Sequence, residues 1–106
     1  MAKELFHPDI DQIDLSAVLD ALSDPTRREI VAYLSEVGED SCGSMSPFSS
    51  KTNLTYHLAR LRESGVTRTR IEGPRRLISV RAADIEQRFP GLLPSILTAV
   101  RAADPG

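Results

Sequence analysis

Between Ser49 and Val80 the chain changes its hydrophobic period, and that change limits the folds open to it more than any other feature. In "SSKTNLTYHLARLRESGV", Leu54, Leu58 and Leu61 recur at helical spacing on one side of a helical wheel. Ser49 or Ser50 can cap the start, and Gly65 supplies the stop. Directly after Gly65 the period becomes two: "VTRTRI", then "EGPRR" with Gly73 and Pro74 as turn residues, then "LISV". The spacing therefore predicts a helix over 50–65 that runs without a linker into a β-hairpin over 66–81.

The flanking segments supply the remaining helices. Asp14 can cap a helix carrying Leu15, Val18, Leu19 and Leu22. In "SDPTRREIVAYLSEVG", Asp24 is the cap, Pro25 the first helical residue, Ile30, Val31, Leu34 and Val37 the buried stripe, and Gly38 the terminator. "EDSCGSMSPF" is rich in Ser and Gly, so any helix there is short or irregular. Residues 83–103 read as helix interrupted by Pro90 and Pro94. Residues 1–13 read as an N-terminal arm or a loosely docked segment. With 106 residues, 5% aromatic content and no Trp, the chain is a single domain, 1–106, whose core rests on Leu, Ile, Val and Ala. The expected fold is mainly α with a two-stranded hairpin, in the order helix, helix, short element, helix, hairpin, helix.

No apolar run reaches the roughly 18 to 20 residues that span a bilayer, and "MAKELFHPDIDQ" lacks the hydrophobic block of a signal peptide. A cytoplasmic protein with no membrane partner is expected. The formal charge of -2 conceals a division: residues 1–50 carry ten acids and three bases, residues 51–106 five acids and ten bases. Such asymmetry is expected where one half faces a polyanion, although charges spread over a solvated face would look the same.

The polar opening turn of the 50–65 helix resolves that ambiguity. Lys51, Thr52 and Asn53 are not residues a core needs, and Thr52, Thr55, Tyr56 and Ala59 lie opposite the leucines. Lys can donate to guanine acceptors, Asn can pair bidentately with adenine, and Thr can bond a base edge or touch a thymine methyl. Arg68, Arg70, Arg75, Arg76 and Arg81 crowd the hairpin, where arginines would neutralise phosphates. The layout is that of a winged helix-turn-helix, and the expected DNA contacts are Lys51, Thr52, Asn53, Thr55, Tyr56, Arg60, Arg75 and Arg76. The rival class is a winged helix used for protein contact alone, which neither the basic wing nor the polar first turn favours. An enzyme is not expected, because the chain has no glycine-rich phosphate loop or nucleophile elbow.

The chain also resembles the ArsR-type bacterial winged-helix repressors. "ALSDPTRREIVAYL" (21–34), "SKTNLTYHLARLRESGV" (50–66) and "EGPRRLISV" (72–80) carry the resemblance, which extends over roughly 12–103. It implies a homodimeric repressor that binds palindromic double-stranded DNA, regulates its own operon and pairs its first and last helices across a two-fold axis. The interface residues would be Leu15, Leu19, Leu92, Leu93, Ile96, Leu97 and Val100, and pairing would cover the apolar excess of 85–100.

Many members of that family sense metal, but this chain lacks the residues for it. Cys42 stands alone, and 84–103 contains no His. His7, His57, Asp84, Glu86 and Asp104 are the other potential ligands, and His57 matches a packing and hydrogen-bonding histidine of the family. No metal and no cofactor are therefore expected. The alternatives to Cys42 as a small buried hydrophobe are a thiol switch at Cys42 and a metal-responsive site that joins His7 to Cys42 across a dimer. A small organic effector between the terminal helices is a further possibility.

Overall fold

The computed structural model describes residues 5–103. Within them, five α-helices and a three-stranded antiparallel sheet follow one another as α1 (Leu15–Ala21), α2 (Pro25–Val37), β1 (Glu39–Ser41), α3 (Lys51–Ser64), β2 (Thr67–Glu72), β3 (Arg75–Val80), α4 (Ala82–Arg88) and α5 (Leu92–Ala103). A 3₁₀ segment, Cys42–Phe48, bridges β1 and α3 and accommodates Pro47 where a regular helix would not form.

The helix starts are fixed by side chains that accept the orphan first-turn N–H groups. The Asp14 carboxylate accepts from Ala17, the Asp24 carboxylate from Thr26 and Arg27, and the Ser50 hydroxyl from Asn53. Gly65 ends α3 at φ 91°, a left-handed conformation that L side chains rarely adopt. A Cβ there would also lie 2.7 Å from Cγ1 of Ile13. Both constraints require glycine at the junction between α3 and β2.

The hairpin is joined by a two-residue turn, because Glu72 pairs with Arg75. Positive φ at Gly73 (61°) followed by Pro74 excludes a type I′ turn, which needs positive φ at both positions, and matches the II′ pattern. A third strand joins it: β1 pairs with β3, Glu39 opposite Ser79 and Ser41 opposite Leu77, giving the order β1-β3-β2. The sequence predicts only two strands, since "EDS" is too short and polar to show a period. It becomes a strand because Gly38 turns the chain onto the free edge of β3, and the Tyr33 hydroxyl holds it there by donating to Asp40.

One core joins these elements, with Val18, Ile30, Val31, Leu34, Met45, Leu61, Val66, Ile78 and Ile85 all buried. The 83–103 region divides at Phe89–Gly91 into α4 and α5. Pro94 does not break α5, because as its third residue it occupies the first turn, where no intrahelical N–H bond is lost. Leu93 points into the protomer's own core at 4% exposure, which removes it from the surface available to a second copy. Leu92, Ile96 and Leu97 are half-buried against the same core, so α5 spends part of its apolar face on its own protomer.

The described part of the arm, 5–13, is closely docked. Pro8 and Ile13 are buried, and three arginines donate to its carbonyls: Arg62 to Phe6, Arg81 to Pro8 and Arg88 to Ile13, each at 2.7 Å. The sequence reading of an arm or a loosely docked segment misses this docking, because its anchors come from distant parts of the chain.

Candidate nucleic-acid interface

The α3 helix sits on the core through Leu54, Leu58 and Leu61, all buried. Its Ser50 cap therefore starts the helix with Lys51, Thr52 and Asn53 in an exposed first turn, with Thr55 and Tyr56 exposed one turn on. Among the described residues, Lys51 makes no ion pair, and the side chain of Asn53 makes no hydrogen bond. The Thr55 hydroxyl donates to the Lys51 carbonyl at 3.0 Å, which leaves its methyl and an oxygen lone pair for a partner. Tyr56 is 57% exposed, with its ring centroid 5.8 Å from that of His57.

Arg60 differs from the others. Its Nη2 lies 2.7 Å from the Asp20 carboxylate, so this side chain is turned towards α1 and paired there. The pairing is invisible in the sequence, where the partners stand 40 residues apart.

The wing is also less positive than its arginine count suggests. Arg70 is held between Glu39 at 2.9 Å and Glu72 at 2.6 Å, and its hydrogen bond holds the Glu72 carboxyl below its ordinary value. Arg81 is buried, bonded to Asp84 at 3.0 Å as well as to Pro8. Arg68 lies 4.0 Å from the same Asp84 carboxylate. Arg75 and Arg76 are exposed and make no ion pair among the described residues, which leaves them as the wing's available cations. With Lys51 they give three such groups beside four exposed polar or aromatic positions on α3, Thr52, Asn53, Thr55 and Tyr56.

A buried network holds α3 at its angle. Arg27 on α2 donates through Nε to the Ala21 carbonyl at 2.6 Å and through Nη1 to Nδ1 of His57 at 3.1 Å. Because a guanidinium only donates, Nδ1 of His57 is an acceptor and the ring proton sits on Nε2. Arg27 thus joins the C-terminal end of α1 to α3. The signal for it was present in the sequence: 27 shares the i, i+3, i+4, i+7 face of Ile30, Val31 and Leu34. A charged residue on an apolar helix face signals a buried link of this kind.

The candidate sensing residues do not converge. Among the described residues, no group of three His, Cys, Asp or Glu side chains is placed to hold a metal ion, and Asp104 lies outside those residues. Cys42 is a free, half-buried thiol packed against the core. His7 instead binds the backbone of β2. No helix of the described residues is long and apolar enough to cross a membrane.

A helix seated by its apolar stripe, with an exposed polar first turn and a basic hairpin directly behind it, defines the winged helix-turn-helix class of DNA-binding regulators. Comparison with known proteins agrees. A family model described as a helix-turn-helix domain matches residues 22–70. An uncharacterized HTH-type transcriptional regulator of Bacillus subtilis (strain 168), YceK, is 34% identical over 89 residues, covering 81% of this chain and 88% of the relative. The crystal structure of an ArsR family transcriptional regulator superposes with a TM-score of 0.65 at 26% identity, over 76% of this chain and 90% of that one. The M. tuberculosis protein Rv0081 superposes with a TM-score of 0.63 at 25% identity, over 83% and 89%. The chain belongs to the ArsR-type winged helix-turn-helix transcriptional regulators, which are not enzymes.

Proposed function

We propose that the protein is a cytoplasmic, autoregulating repressor that binds a palindromic operator as a homodimer and leaves it on an inducing signal. The observation that carries this reading is the capped α3 helix, whose first turn offers Lys51, Thr52 and Asn53 to base edges beside the unpaired Arg75 and Arg76 of the wing. The α1 helix supports the dimer: Leu15 and Leu19 are 43% and 46% exposed, although both are large and apolar. Within the protomer α1 packs on α3, whereas α5 packs on α2. A second copy that laid its α5 on this α1 would cover Leu15 and Leu19, with Leu92, Ile96, Leu97 and Val100 on the opposing helix. Leu93 has no part in that surface. An apolar cavity of about 360 Å³ between α2, α4 and α5, lined by Leu34, Val80, Leu93 and Leu97, offers an organic effector a place from which to move α5.

The salt dependence of binding tests the reading. Two protomers present six unpaired cations at Lys51, Arg75 and Arg76, and each phosphate contact contributes about -0.9 to the slope of log affinity against log salt. The expected slope is roughly -5 in a fluorescence titration against duplex DNA. A slope near zero, or no binding at low salt, would remove the DNA-binding role.

A further inference from the structure

The segment 5–13 is a strap whose first described residues are tied to both α3 and β2 and reach the cleft between them. Leu5 lines that cleft with Thr55 and Ala59 of α3, Thr69 of β2 and Arg76 of β3. The same strap therefore shares that cleft with one of the exposed α3 residues and one of the free wing arginines. Arg62 fastens it to α3 through the Phe6 carbonyl. On the other side the Thr69 backbone N–H donates to Nε2 of His7 at 3.0 Å, and Nδ1 of His7 bonds the Leu5 carbonyl at 3.0 Å. These partners allow only one form of the ring. A backbone N–H requires Nε2 to be an acceptor, so the proton is on Nδ1 and the imidazole is neutral.

We propose that His7 is a positioning residue for the DNA-binding face: as a neutral imidazole it ties the strap to the wing while Arg62 ties it to α3, and protonation of the ring opens the tie. The role rests on the DNA-binding reading above. Protonation places a second N–H against that of Thr69, so the bond becomes a repulsion. Charged groups on each neighbouring element act in the same direction: Arg62 on α3, Arg68 on β2 and Arg81 at the end of β3. Asp84 on α4 does not offset them freely, because Arg81 engages it at 3.0 Å and Arg68 stands 4.0 Å away. On the strap itself, the Asp9 backbone N–H is taken up by Gln12. Burial lowers the ring's pKa below the ordinary 6.5, the bond to the Leu5 carbonyl opposes that, and the three arginines lower it further. Since the folded value lies below the unfolded one, the tie's contribution is complete above 6.5 and is lost as pH falls towards the folded value.

The test follows the full chain and its His7→Gln variant from about pH 7.5 to about pH 5, a range that spans ordinary histidine titration. Glutamine can accept from Thr69 through Oε1 without titrating. In the unmodified protein, Thr69 amide exchange, corrected for its intrinsic pH dependence, should quicken roughly tenfold, the upper end of what one hydrogen bond contributes, with the midpoint of the His7 ring signals. The variant should show no such step. Affinity for a fluorescent duplex of about three helical turns should fall more steeply with acid in the unmodified protein than in the variant. Thr69 protection that stays constant while His7 titrates would overturn the tie, and equal pH profiles of DNA affinity would overturn the positioning role. Should the variant misfold, the coincidence or divergence of the Thr69 and His7 midpoints in the unmodified protein decides. Failure of both proteins to bind DNA at every pH would instead contradict the DNA-binding reading and the positioning role with it, while the Thr69 signal reports on the tie separately.

Discussion

Replacing Leu15 and Leu19 by aspartate is expected to leave a folded monomer whose affinity for its operator is reduced by a factor of about 10² to 10⁴, the avidity lost when two linked sites become one. Both side chains are more than two-fifths exposed, so the substitutions remove little from the core. Leu15 is the first residue of α1, where a carboxylate meets the positive end of the helix dipole and is welcome. The charges would act only where a second copy covers them, since burying an unpaired carboxylate in an interface is strongly unfavourable. Sedimentation and DNA titration read the two halves of the result. A dimer that persists with both aspartates would move the interface away from α1. The equivalent change at Leu93 would not be informative, because that residue belongs to the protomer's own core.

The second large effect is expected from Arg75→Ala combined with Arg76→Ala. The pair removes four cations from a dimer, and with it about 3.6 from the magnitude of the salt slope. At near-physiological salt, about 0.15 M, that corresponds to an affinity lower by roughly a thousandfold. The loss should be alike for operator and mixed-sequence DNA, since phosphate contacts carry little sequence information. Stability should be unchanged, because neither side chain has an ionic partner among the described residues. A slope that stays near that of the unmodified protein would show that the wing tip does not meet phosphates.

These expectations rest on residues of unequal legibility. The α3 helix, its Gly65 stop and the hairpin can be read from periodicity, because each is specified by neighbours a few positions away. Ser50 as the cap and Asp24 with Pro25 at the start of α2 are legible for the same reason. What escaped the sequence depends on pairs brought together by the fold. Arg70 finds Glu39 at a separation of 31 residues, and His7 finds Thr69 at 62. Counting five arginines in the hairpin therefore overstates its free charge, and Arg60, which the sequence places among the expected DNA contacts, is held by Asp20. The β1 strand has the same origin, since three polar residues become a strand only against the open edge of β3. Leu93 shows the converse: an apolar stripe records that a face is buried, not whether the covering surface is the same protomer or another.

Selection of bound fragments from a random duplex pool, carried out in parallel with the unmodified protein and Asn53→Ala, tests the central claim most directly. The account predicts that the unmodified protein recovers inverted repeats with half-sites about one helical turn apart. It also predicts that Asn53→Ala relaxes or changes the preferred base at one position of each half-site, with discrimination there falling by about 1 to 3 kcal/mol. Recovery of no enriched sequence by the unmodified protein, or of the same sequence at the same strength by both proteins, would contradict the assignment of the α3 first turn to base recognition.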